Sequence, residues 1–150
     1  MSTTILGLDK EKTTTLVKEL NTLLANFQVY YQNVRGLHWN IKGKNFFELH
    51  VKFEEFYTDA QEKVDMIAER ILTLQGTPLH TFNDYTKLAS VPVGKNISND
   101  EEAVKLVVTS LTELLKIERI ILELSDEADD EGTNSMMSDF ISEQEKTLWM

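Results

Sequence analysis

The chain is 150 residues long, contains no cysteine and carries a formal net charge of -10 at neutral pH. That length fits one domain, residues 1–150, with a sizeable hydrophobic core. The absence of cysteine excludes disulfides and thiolate metal sites and suits a reducing cytoplasm, while the acidic balance repels polyanions and favours small cations as guests.

Apolar periodicity divides the chain into four long helices, because the prolines and most glycines fall between periodic stretches. The first runs from about Asp9 to Val34, with Val17, Leu20, Leu24, Phe27, Tyr31 and Val34 on one face. A Gly36–Gly43 connection leads to a second helix starting near Asn45, with the stripe Phe46, Leu49, Phe53, Phe56, Ala60, Ile67, Ile71 and Leu74, stopped by Gly76 and Pro78. The segment from Pro78 to Asn96 is long enough to cross the bundle and join two parallel helices, with a short helical turn near Phe82–Leu88.

Ser98-Asn99-Asp100-Glu101 reads as a capping box opening the third helix. The apolar positions of that helix cover more than half its circumference, which predicts burial against its own bundle on one side and another subunit on the other. Glu118 falls inside the apolar arc and needs a partner that sequence does not identify. A fourth helix begins near Thr133. Four helices with one long crossover is the ferritin-like all-α arrangement. No N-terminal leader pattern and no membrane-spanning stretch is apparent, so no membrane association is expected.

Two of the three histidines, His38 and His50, lie in NVRGLHWNIKGKNFFELH, residues 33–50. Measured from His50 around the second helix, Glu54 lies at about 40°, Asp65 at about 60° and Glu69 at about 100°, one polar strip beside the apolar face. An arbitrary Asp-x-x-x-Glu on a helix is usually a solvated edge. Scarce imidazoles on the same strip point instead to metal. His50 and Asp65 are about 22 Å apart along the axis, so they cannot share an ion within one chain. There is also no Glu-x-x-His of the intrachain di-iron kind. A site shared across a twofold axis remains, with His50 of one chain near Asp65 and Glu69 of the other and His38 completing the imidazole pair. Fe(II), Zn(II) and Mn(II) all suit such ligands.

NVRGLHWNIKGKNFFELHVKFEEFY, followed by DMIAERI, DDEGT and the terminal EKTLWM, resembles the Dps family of dodecameric mini-ferritins over nearly the whole chain. The resemblance implies a hollow shell of twelve subunits that binds iron between them, oxidises Fe(II) preferentially with hydrogen peroxide, oxygen being the other oxidant, and stores ferric mineral. By position it implies His38 and His50 from one subunit, with Asp65 and Glu69 from its twofold mate, as ferroxidase ligands. Glu54 stands where the family commonly has Asp, as ligand or ligand support. Trp39 matches a nearby oxidisable aromatic, although a large ring also suits plain packing at a helix end.

The acidic run from Asp126 to Glu131 reads on composition as a solvated loop; three copies about a threefold axis would form a cation path. The family resemblance places a pore here, with Asp130 the clearer match and Asp126 the weaker. DNA binding is not expected: the N-terminal segment offers only Lys10 and Lys12 with acids interleaved, where DNA-coating members carry a Lys-rich arm. The competing reading is a structural, DNA-compacting member with little ferroxidase activity. His80, in the crossover, reads as a surface residue.

Overall fold

Five α-helices form among the described residues, 2–150 of the computed structural model: α1 (Lys10–Asn40), α2 (Phe46–Thr73), the short α3 (Phe82–Leu88), α4 (Asp100–Glu127) and α5 (Glu131–Trp149). The four long helices make the expected bundle, with α3 inside the crossover. Their directions follow from contacts between ends. Lys42 N donates to the Ser98 carbonyl at 2.8 Å and Asn45 Nδ2 to Asp100 Oδ2 at 2.7 Å, so α2 and α4 start together and run parallel. Arg70, late in α2, meets Asp130 just before α5, which therefore runs the other way. No helix among the described residues is long and apolar enough to cross a membrane.

The core is filled by the inward stripes. Leu16, Leu20, Leu23, Phe27, Phe53, Ile67, Ile71, Leu114, Ile121 and Phe140 are all at most 1% exposed. On α4 the apolar arc splits as its width suggests: Leu111, Leu114 and Ile121 face the core, whereas Val104, Val108 and Ile120 stay exposed.

Two helix starts and one helix end differ from the sequence reading. Helix α1 does not stop at Val34 but passes through Gly36 to Asn40. A helical glycine costs roughly 1 kcal/mol, and burial of Leu37 and Ile41 beyond it outweighs that. The cap of α4 is Asn99 rather than Ser98: its Oδ1 accepts from Glu102 N at 2.8 Å and its Nδ2 donates back to Glu102 Oε2 at 2.8 Å. Helix α5 begins at Glu131, with Asp130 as its cap.

Three asparagines of α1 fasten the crossover, a function no local pattern announces. Asn21 bonds Thr77 O and Leu79 N, and Asn33 bonds Pro92 O and Gly94 N. Asn26, fully buried, accepts from Ser90 N and Val91 N, each at 2.8 Å. Asn26→Ala orphans both amides, so it is expected to cost roughly 2 kcal/mol. Hydrogen exchange should find the Ser90 and Val91 amides deprotected, and unchanged protection would contradict this.

The partner of Glu118 is Gln144, whose Nε2 donates to Glu118 Oε2 at 2.5 Å. Burial pushes the Glu118 carboxyl up to about 8, against the opposing effects of that hydrogen bond and of Lys63 and Arg119; Glu143 adds to the rise. The folded chain therefore keeps a proton that the unfolded chain has released, and between the ordinary glutamate range and about pH 8 this group makes stability fall as pH rises. Glu118→Gln should melt above the parent at high pH and converge with it near pH 5. A melting difference that does not vary with pH would refute this.

Candidate metal centre

The last turn of α1 lies against the first turns of α2, and each contributes one imidazole. His38 Nδ1 is 2.6 Å from the His50 carbonyl oxygen, and His50 Nδ1 is 2.7 Å from the His38 carbonyl oxygen. A carbonyl oxygen only accepts, so each Nδ1 carries the hydrogen and donates it. In the neutral ring this leaves Nε2 with its lone pair, the tautomer that binds metal, while the Nδ1–H bond to a carbonyl fixes the orientation of the ring.

The two rings are stacked, with centroids 3.7 Å apart and planes 13° from parallel. Phe46 stacks on His50 at 4.9 Å, and Tyr57 meets His38 edge-on at 5.4 Å. Imidazole lone pairs lie in the ring plane, so rings held parallel at this distance cannot both point at one ion. The pair offers two neighbouring single-nitrogen positions. Phe46 and Tyr57 were legible only as stripe and helix residues; their service as walls of the site has no sequence signature.

Glu54 Oε1 lies 3.8 Å from His38 Nε2 and its side chain is 57% exposed. Two ligands of a tetrahedral ion with bonds near 2.1 Å are about 3.4 Å apart, so a small side-chain adjustment lets both meet one ion. Asp65 and Glu69 are exposed on the same helix. They lie roughly 22 Å and 28 Å along its axis from His50. Among the described residues no three His, Asp or Glu side chains converge on a possible ion position. The strip that carries these acids also exposes Phe47 and Leu72, with Val51 and Met66 beside it.

Trp39 is 57% exposed and carries the Arg35 guanidinium over its ring at 4.9 Å, so it projects from the bundle rather than packing the helix junction. His80 is exposed, as expected. In the acidic run the two pore candidates separate. Asp126 is exposed at the end of α4. Asp130, expected as the clearer pore residue, is 2% exposed and turned inward. Its oxygens accept from Arg70 Nη2 at 2.6 Å, from Thr133 N at 3.1 Å and from Thr133 Oγ1 at 2.5 Å. Capping α5 and pairing with Arg70 both require an inward carboxylate, and neither is visible in a count of acids.

Residues 17–150 match the ferritin-like domain family. The chain is 42% identical over 146 residues to the DNA protection during starvation protein of Porphyromonas gingivalis, a match covering 97% of this chain and 92% of that one. Its structure superposes on the Dps protein of Vibrio cholerae O1 with a TM-score of 0.97 and 50% identity, covering 100% of this chain and 94% of the other. That protein is described as a member of a broad superfamily of ferritin-like diiron-carboxylate proteins. The Dps protein of Bacillus brevis superposes with a TM-score of 0.91 at 34% identity, covering 100% of this chain and 96% of its own.

Proposed function

Because the chain belongs to the Dps family of ferritin-like proteins, we propose that it is a cytoplasmic ferroxidase and iron store. In this reading a single unit, residues 1–150, assembles into a hollow dodecamer that oxidises Fe(II), preferentially with hydrogen peroxide, and keeps the ferric product inside. Peroxide consumption and iron sequestration together remove both ingredients of hydroxyl-radical chemistry, which protects the cell.

The observation that carries the reading is the reciprocal histidine pair, with both Nε2 atoms left free by Nδ1–H bonds to carbonyls. A histidine pair serving only as core filler would not need both rings in the metal-binding tautomer beside a partly exposed carboxylate. Because the acids of the strip are out of reach in one chain, the site is completed by an antiparallel second α2 across a twofold axis. His50 of one subunit then faces Asp65 and Glu69 of the other. The exposed apolar residues on and beside the strip support burial of this face.

In the completed site His38, assisted by Glu54, and His50 each hold one ferrous ion, with Asp65 and Glu69 supplying the remaining oxygens. Imidazole and carboxylate together favour Fe(III) over Fe(II), and an open coordination position admits the oxidant. Each peroxide takes one electron from each of two ferrous ions and leaves as water after uptake of two protons. Trp39 stands beside His38 as a ring that can give up an electron when only one ion is present. Fe(II) approaches past Asp126; Asp126→Asn should slow uptake several-fold at low salt and leave melting unchanged.

Anaerobic loading with Fe(II), then addition of hydrogen peroxide with oxidation followed by absorbance, tests the reading. Rapid oxidation with two ferrous ions lost per peroxide is expected. Oxidation no faster than in protein-free buffer would overturn it, and strong retardation of plasmid DNA at moderate salt would favour the DNA-compacting reading.

A further inference from the structure

A second group of buried polar side chains lies at mid-bundle, where α2, α4 and α5 face one another. Lys63 is 3% exposed. Its ammonium stands 2.7 and 2.9 Å from the Asp59 carboxylate oxygens, 3.2 Å from Glu143 Oε1 and 5.2 Å over the Phe140 ring. The same turn of α5 presents Gln144 to the fully buried Glu118. The second hydrogen of that amide goes to the Phe140 carbonyl at 3.0 Å, which fixes which way round the amide sits. Glu118 Oε1 and Gln144 Oε1 are left buried with no hydrogen-bond partner. An oxygen left this way in an otherwise apolar core is destabilising, because it has given up its hydrogen bonds to water without replacement. Gln144 also lines a cavity of about 250 Å³ together with Tyr30, Asp59 and Glu143.

Di-iron bundles of the ferritin-like class hold their metal at this depth, with inward Glu on two helices and Glu-x-x-His on the other two. Here the inward positions are Tyr30, Lys63, Glu118 and Gln144, which provide oxygen donors but no histidine, and a fixed cation among them. These residues do not fit a metal pair. A divalent ion would meet the Lys63 ammonium where it most needs an anion, and the carboxylates nearest that ammonium already neutralise it.

We infer that Lys63 is a built-in counter-ion that closes the bundle's own interior to metal ions and so confines iron to the interface between subunits. It is a specificity-determining residue that touches no iron. This inference rests on the interfacial reading above.

Co(II) is a suitable probe, because its visible bands report coordination without any oxidation. In assembled full-length protein carrying His50→Ala and Asp65→Ala, Co(II) binding should be largely lost. Adding Lys63→Glu should then restore about one Co(II) per chain, and adding Glu118→Gln should remove it again. Lys63→Gln, which removes the charge at little change in volume, should bind Co(II) at least tenfold more tightly than the same background with Lys63 intact. If neither Lys63 variant gains Co(II) while circular dichroism and native mass match the parent, the inference is overturned. It is equally overturned if Glu118→Gln removes Co(II) from protein that retains Lys63. Failure of the interfacial reading looks different: His50→Ala with Asp65→Ala would leave Co(II) binding unchanged in protein with Lys63 intact.

Discussion

Replacing His38 and His50 by alanine in one chain, or Asp65 and Glu69 by alanine in another, is expected to slow peroxide-driven Fe(II) oxidation by roughly 100-fold or more. Loss even of a residue that merely supports a metal ligand commonly costs 10- to 100-fold, and here ligands themselves are removed. The two defective chains should nevertheless rescue each other. Mixed in equal amounts before assembly, half of the twofold contacts pair one chain of each kind. Each such contact contains one site with intact histidines facing intact acids and one with neither. About one site in four is therefore whole, and about a quarter of the parental rate should return. Ligands gathered within a single chain could not complement in this way, so a mixture as slow as its components would rule out shared sites. Circular dichroism of each variant separates this outcome from misfolding.

Asp130→Ala is expected to destabilise the subunit by roughly 3–5 kcal/mol, the typical result of leaving one member of a buried ion pair without the other. The Arg70 side chain is only 20% exposed, and it holds Asp130 through Nη2 at 2.6 Å and Thr133 through Nε at 2.9 Å. Removing the carboxylate strands the guanidinium and also uncaps α5, which by itself costs about 1 kcal/mol. Gly132 belongs to the same device, since a Cβ there would lie 2.7 Å from Arg70 Nη2. A double variant, Arg70→Met with Asp130→Ser, keeps a capping oxygen and strands no charge. It should lose less than Asp130→Ala alone, which additive effects would not allow. Thermal melts at one fixed protein concentration are the measurement, because assembly also shifts the midpoint. If Asp130 were an open pore anion, Asp130→Ala would alter iron uptake and leave the melt where it was.

The two experiments touch the places where sequence and structure stand in different relations. The strip His50, Glu54, Asp65 and Glu69 was legible because helix periodicity converts spacing into angle and rise, and both survive in α2. Asp130 was not legible as a clamp, because a run of acids looks the same whether its members face water or an arginine sixty residues earlier in the chain. Gly36 shows a similar limit. Local propensity argued for a break, and packing of Leu37 and Ile41 overruled it.

What the sequence by itself determined is whatever depends on period and length: four amphipathic helices, a crossover long enough to make α2 and α4 parallel, and acids too distant from His50 to share its ion. Only the tertiary structure decided how separate helices meet. It paired the two histidines through each other's carbonyls, gave Glu118 its partner in Gln144, turned Asp130 inward and tied the crossover to Asn26. Each of these joins residues far apart in the chain, through hydrogen bonds that leave no periodic trace, and only packing of the core brings them within reach.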